Sequence, residues 1–194
     1  LDSPFPEEAN RKIISTISSY NFCPTEAAGE NLLRESISTN TIHITGNTIV
    51  DALSLISDKE KLNDLFSIHS TIQKPFVLIT AHRRESFGEG FQNICEAIKE
   101  CAEKFSTHQF IYPVHLNPNV QEPVHKLLKN LSNVLLIEPV SYLKLLTLLK
   151  HSEFVLTDSG GIQEEAPSFG KYCIVMRDVT ERMESVHLKM SELV

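Results

Sequence analysis

Short, almost wholly apolar segments alternate with longer helical segments along most of this 194-residue chain, and this alternation restricts the possible fold more than any other feature. Each apolar segment is too short for a helix, and the lack of polar residues within it is expected of a strand buried on both faces. Strands that alternate with helices favour an α/β fold with a doubly wound parallel sheet. The candidate strands are Thr41–Thr45, Phe76–Thr80, Gln109–Pro113, Asn133–Ile137, Glu153–Leu156 and Tyr172–Met176.

The predicted helices between these strands show apolar residues at helical spacing. Gly90–Phe105 places Cys95 and Cys101 on one apolar stripe, which favours a core role for both thiols. Another helix is predicted over Asn119–Asn130, and Ser141 is expected to cap a leucine-rich helix with its side chain.

The first 45 residues differ from the rest of the chain. They hold a predicted helix near Glu7–Tyr20, a short strand over Asn21–Cys23 and a helix over Thr25–Glu35. These are too few strands for a sheet of their own. We therefore expect residues 1–45 to be the remnant of one domain, and residues 46–194 to form a second domain.

Composition excludes several classes of protein. The net charge of −7 argues against a nucleic-acid polymer as partner, because such binders carry a basic surface. No stretch approaches the roughly 18 apolar residues of a membrane span. The four cysteines form no C-x-x-C pair, so we expect reduced thiols in a cytoplasmic protein and no metal site.

The segment Thr157–Lys171 (TDSGGIQEEAPSFGK) is the strongest candidate site. Paired glycines after a strand let a ligand approach the backbone closely, and the N–H groups and dipole at a helix N-terminus attract phosphate. Ser159 adds a hydroxyl donor, and the carboxylate of Glu165 can accept both hydroxyls of a ribose. Together they indicate a nucleotide. The alternative is a glycine turn and a capped helix without a ligand.

Charged residues also follow the other predicted strands. His82 and Arg83 follow one strand, His115 follows the next, and Arg182 lies beyond the last. Because ligands of open α/β sheets bind beyond the carboxyl ends of the strands, we expect these residues near Ser159. Arginine neutralises a diphosphate, and histidine exchanges a proton near neutral pH. Alternatively, the arginines form only surface salt bridges and His115 is structural.

Five segments together resemble the non-hydrolysing bacterial UDP-N-acetylglucosamine 2-epimerases. They occur in the family's order across nearly the whole chain: PFPEEANR, HITGNTIVDAL, ITAHRRESFGEGF, YPVHLNPNV and LTDSGGIQEEAPSFGK. The resemblance implies a glycosyltransferase-B-like fold of two Rossmann-like domains, with the active site in the cleft between them. It also implies conversion of UDP-GlcNAc to UDP-ManNAc by elimination of UDP to 2-acetamidoglucal and re-addition of UDP, without a cofactor.

The resemblance assigns roles in catalysis and regulation. Glu7 matches a carboxylate implicated in proton transfer, although by sequence alone an acidic residue in a first helical turn is routinely a dipole cap. His82 matches a histidine near the diphosphate. Arg83 and His115 match residues that hold a second UDP-GlcNAc molecule as an allosteric activator.

The resemblance also assigns the UDP-binding residues. Ser159, Gly160 and Gly161 match the phosphate-binding loop. Glu165 matches the carboxylate that binds ribose, and Arg182 matches an arginine that contacts UDP.

By comparison with the family, we expect an incomplete enzyme. Two further acidic residues of the family's active site would precede Leu1, and its closing helix would follow Val194. The chain is therefore expected to be the C-terminal half, inactive in isolation, and to form a homodimer through exposed apolar surface. Leu145 stands where the family usually has an aromatic residue under the uracil, and the loss of motif over Met183–Val194 predicts drift or a frayed terminus. The alternatives are a non-catalytic UDP-sugar-binding module, a relic, or a glycosyltransferase of the same fold.

Overall fold

A computed structural model describes residues 5–57, 62, 68–72, 75–180 and 182–194. The chain divides into two compact units, Leu1–Ala52 and Leu53–Val194. The division therefore falls after Ala52, whereas the sequence placed the boundary after Thr45. Much of the polar connection predicted over Ser57–Lys74 lies outside the described residues.

The first unit combines helices with a small sheet. Its elements are α1 (Glu7–Ile17), β1 (Asn21–Cys23), α2 (Glu26–Arg34), β2 (Ile42–Ile44) and the beginning of α3 (Thr48–Ser57). The sequence expectation of too few strands for a sheet was wrong, because β1 and β2 pair in parallel. Gly29 lets α2 pack closely on β2, because a Cβ atom there would lie 2.7 Å from Cδ1 of Ile44.

The second unit is a six-stranded sheet in which every strand pair is parallel. Its strands, in the order β5-β4-β3-β6-β7-β8, are β5 (Val134–Ile137), β4 (Gln109–Pro113), β3 (Phe76–Thr80), β6 (Phe154–Thr157), β7 (Tyr172–Val175) and β8 (Ser191–Leu193). Its helices are α4 (Glu89–Lys104), α5 (Pro118–Leu128), α6 (Tyr142–His151), α7 (Gly160–Glu165) and α8 (Met183–His187). The chain builds outward from β3 and then returns to its other side, so the switch point lies between β3 and β6. This confirms the predicted doubly wound α/β fold.

The core lies around the central strands. All five residues of β3 are buried, and α4 buries Phe91, Cys95, Ile98 and Ala102 against the sheet. Cys95 is therefore a core residue as predicted, whereas Cys101 is only partly buried. Within the described part of the chain, no helix has the length and apolar character to span a bilayer.

Two local expectations were wrong. Met183–Val194 is not frayed, because α8 and the edge strand β8 form there. The strand is added by backbone bonds, such as Val194 N to Val175 O at 3.0 Å, which a loss of side-chain motif does not prevent. Ser141 does precede α6, but its side chain forms no capping hydrogen bond.

A candidate ligand site at the carboxyl ends of the strands

A cavity of about 260 Å³ opens where β3, β4 and β6 end. Its walls include His82, His115, Ser159, Gly161 and Glu165, which the sequence placed at this edge from three different segments. They converge because parallel neighbouring strands end at the same edge of a sheet. A larger cavity, of about 530 Å³, lies beyond β5 and contains none of the predicted site residues.

Asp158 ties the end of β3 to the end of β6. Its side chain is fully buried, and its Oδ2 accepts hydrogen bonds from the backbone N–H groups of His82 (2.7 Å) and Arg83 (2.8 Å). Its Oδ1 has no hydrogen-bond partner among the described residues and lies 3.9 Å from Nδ1 of His82. A buried carboxylate with two charge-assisted bonds fixes the backbone on which His82 stands.

The two histidines of the site form a stacked pair. The rings of His82 and His115 are nearly parallel, with centroids 5.4 Å apart. Nδ1 of His115 accepts a hydrogen bond from the backbone N–H of Asn117 at 3.1 Å, which orients the ring. Beside them, the guanidinium of Arg83 lies 3.7 Å from the carboxylate of Glu85. Arg83 therefore has an acidic neighbour, in line with the salt-bridge alternative. This contact does not prevent Arg83 from binding a ligand.

Arg182 packs over the glycine loop. A Cβ atom on Gly160 would lie 3.1 Å from Cζ of Arg182, so the guanidinium rests against the first residue of α7. Nε of Arg182 donates to Glu164 at 3.0 Å. The positive charge is thus held at the loop predicted to bind phosphate.

A partly buried chain of hydrogen bonds joins the glycine loop to the segment that carries Arg182. Gln163, which is almost wholly buried, donates to the carbonyl of Ser159 (3.3 Å) and accepts from the hydroxyl of Thr180 (2.7 Å). The Thr180 hydroxyl accepts in turn from the backbone N–H of Arg182 at 3.2 Å. The positions of Ser159 and Arg182 are therefore set together.

Glu165 is largely buried on the cavity wall. Its Oε1 accepts a hydrogen bond from the phenol of Tyr142 at 2.9 Å. Burial raises the pKa of the Glu165 carboxyl, and the bond from Tyr142 opposes that rise. Burial together with the neighbouring carboxylate raises the pKa of Tyr142 to about 12.

Glu7 belongs to the first compact unit. It opens α1 after Pro6, in an exposed first turn, as the sequence predicted. The neighbouring Glu8 forms an ion pair with Arg11 at 2.8 Å. A first-turn position suits a dipole cap as well as a proton-transfer group, so its assigned role remains a prediction.

Comparison with known proteins then decides the family. A family model described as UDP-N-acetylglucosamine 2-epimerase matches residues 1–194. The chain belongs to the UDP-N-acetylglucosamine 2-epimerase family. It is 49% identical over 193 residues to the UDP-N-acetylglucosamine 2-epimerase of Salmonella typhimurium, covering 96% of this chain and 51% of that enzyme. The chain thus spans about half the length of the curated relatives it matches.

Solved structures of the family show the same fold. A Neisseria meningitidis UDP-GlcNAc 2-epimerase bound to UDP-GlcNAc is 47% identical with a TM-score of 0.93, covering 99% of this chain and 53% of that one. The Methanocaldococcus jannaschii epimerase in complex with UDP-GlcNAc and UDP is 39% identical with a TM-score of 0.83, covering 100% and 55%. These similarities confirm the predicted fold and the resemblance stated from the sequence.

Sequence reasoning missed three residues that organise the site. The place of Asp158 before the glycine loop was visible, but its partners, the backbone N–H groups of His82 and Arg83, lie 76 and 75 residues away. Gln163 and Tyr142 gave no signal, because their partners Thr180 and Glu165 lie 17 and 23 residues away. Within the described residues, no group of three or more side chains could hold a metal ion.

Proposed function

We propose that this chain is the UDP-binding portion of an epimerase that interconverts UDP-GlcNAc and UDP-ManNAc. One observation carries the proposal: His82, Ser159 and Glu165 line a single cavity at the topological switch point of the sheet. In a member of this family, that arrangement supplies a proton-exchanging group, a phosphate loop and a ribose acceptor together.

The proposed chemistry begins with departure of UDP from C1. The loss of the C2 proton and of UDP leaves 2-acetamidoglucal, and re-addition of UDP with a proton on the opposite face of C2 inverts that carbon. The leaving diphosphate gains negative charge, which Arg182, the Ser159 hydroxyl and the N–H groups of Gly160 and Gly161 would stabilise. His82 would stand close to this diphosphate.

The remaining roles belong to the same proposal. Glu7 would transfer the proton at C2, as positioned acid–base groups do. Arg83 and His115 would hold a second UDP-GlcNAc molecule, which acts as an activator. The two compact units would belong to the two domains of a glycosyltransferase-B-like fold.

Assembly and location are also proposed. A cytoplasmic enzyme suits the four free cysteines, of which Cys23, Cys95 and Cys173 are buried. A homodimer suits the exposed apolar side chains of the first unit, such as Ile17 and Phe22.

Calorimetry with UDP tests the binding site. We expect the 194-residue polypeptide to bind UDP, and Ser159→Ala to weaken binding about tenfold, because a hydrogen bond to a charged group is lost. Ser106→Ala is the matched control, since Ser106 is exposed and precedes β4 at the amino ends of the strands. Failure of the unsubstituted chain to bind UDP at millimolar concentration would contradict the proposal.

Proton exchange in deuterated water separates binding from catalysis. We expect the polypeptide to bind UDP without placing deuterium at C2 of UDP-GlcNAc, since it spans about half the length of its relatives. The Salmonella typhimurium enzyme serves as the positive control. Deuterium at C2 with the polypeptide alone would show that all the catalytic groups lie within this chain.

A further inference from the structure

Tyr142 stands at the start of α6, at the rim of the cavity lined by Glu165. Tyr142 is partly exposed, with 42% of its surface accessible to solvent, whereas Glu165 is only 8% exposed. The phenol oxygen lies 2.9 Å from Oε1 of Glu165 and donates its hydrogen there. One side of the carboxylate is therefore held by a residue that itself faces the ligand cavity.

Counting acceptor positions shows what this contact leaves available. An ionised carboxylate has about four lone-pair positions on its two oxygens. Tyr142 occupies one position on Oε1, and three remain, enough for the two hydroxyls of a ribose. The phenol also restricts rotation of the carboxylate, so the remaining lone pairs are already oriented when a ligand arrives, and less conformational entropy is lost on binding.

We propose that Tyr142 is a positioning residue that holds Glu165 ready to accept a ribose diol, and so sets the preference of this cavity for a ribonucleotide over a 2′-deoxyribonucleotide. The inference rests on the proposed UDP site. It adds Tyr142 to that site as a residue that contacts the carboxylate of Glu165 and affects ligand binding through that carboxylate.

The pKa of Tyr142 agrees with this geometry. Burial raises the pKa of Glu165, the bond from Tyr142 opposes that rise, and the nearby carboxylate of Glu164 adds to it. The pKa of Tyr142, raised to about 12 by burial and by Glu165, leaves the phenol a hydrogen donor at neutral pH. Tyr142 is thus the hydrogen donor in this contact.

The experiment compares dissociation constants for UDP and 2′-deoxy-UDP in the full chain and in Tyr142→Phe. We expect the unsubstituted chain to prefer UDP about tenfold, as loss of a hydrogen bond to a charged acceptor predicts. In Tyr142→Phe the preference should fall to about twofold, through weaker UDP binding with nearly unchanged 2′-deoxy-UDP binding. General damage to the cavity would weaken both ligands alike.

Tyr172 provides a matched control. The phenol of Tyr172, a partly exposed residue on β7, also donates to a glutamate, Oε2 of Glu192 at 3.3 Å. Tyr172→Phe should keep the full preference for UDP. A double-mutant cycle adds a second measurement: once Glu165→Gln is present, Tyr142→Phe should change the preference no further.

The outcomes separate the two proposals. If the unsubstituted chain binds no UDP, both the proposed function and this inference are wrong. If it prefers UDP and Tyr142→Phe keeps that preference, or lowers affinity for both ligands equally, only the inference is overturned. Loss of preference in Tyr142→Phe but not in Tyr172→Phe supports it.

Discussion

Replacing Gly160 with alanine tests whether the contact between the glycine loop and Arg182 serves binding and not stability. Gly160 is the first residue of α7 and has helical backbone, so alanine fits the main chain without strain. Its Cβ, however, would lie 3.1 Å from Cζ and 3.2 Å from Nε of Arg182. Ordinary contacts begin near 3.4 Å, so the guanidinium must move by a few tenths of an ångström.

Two opposing effects set the expected result. Gly→Ala at a compatible position stabilises a protein by about 0.4–1 kcal/mol through the unfolded state, so the melting temperature should stay equal or rise. A charge-assisted hydrogen bond contributes about 1.5–3 kcal/mol, and displacing Arg182 should forfeit part of that contribution to a bound diphosphate. We expect about tenfold weaker UDP binding without loss of stability.

Thermal unfolding and calorimetry with UDP on the same samples provide the assay. Gly90→Ala is the matched control, because Gly90 is also in the first turn of a helix and has nothing within 4 Å of a Cβ atom there. It should show the stability effect with unchanged UDP affinity. Gly160→Ala with undiminished affinity for UDP would refute the reasoning, as would a large loss of stability.

Two further predictions concern charge. Asp158→Asn keeps the side-chain shape but removes the negative charge of the carboxylate that accepts the backbone N–H groups of His82 and Arg83. We expect about 1–3 kcal/mol lower stability by chemical denaturation, and a loss below about 0.5 kcal/mol would count against this explanation. Hydrogen bonds from Arg11 lower the pKa values of Glu8 and Glu35 below the ordinary 4.5. These carboxylates therefore stabilise the fold above pH 4.5, and this contribution to the free energy of unfolding is lost as the pH falls through the lowered pKa values. Arg11→Met should therefore lower stability at pH 7 by at most about 1 kcal/mol, since the groups are partly exposed. At low pH its melting temperature should match that of the unsubstituted chain. A lower melting temperature that persists at low pH would contradict the electrostatic explanation.

Local pattern was enough to predict the type of most elements. Buried strands are recognisable in the sequence as short apolar segments. Strands β3 (Phe76–Thr80) and β4 (Gln109–Pro113) have the predicted bounds. The glycine loop before Glu165 was also visible, because turn glycines and helix starts depend on neighbouring residues. Helices α3 and α8 and strand β8 were missed. Strand β8 depends on backbone pairing with β7, which its own three residues do not reveal.

Sequence by itself determined the class of fold, the family and the segments that carry the site, because periodic burial and long motifs are properties of adjacent residues. Only the tertiary structure decided which side chains meet. Asp158 reaches the backbone of His82 across 76 residues, and Tyr142 reaches Glu165 across 23. Such contacts depend on β3 lying beside β6 and on the packing of α6 near the cavity. Strand order depends on the free energy of the whole core, which cannot be judged from any single segment.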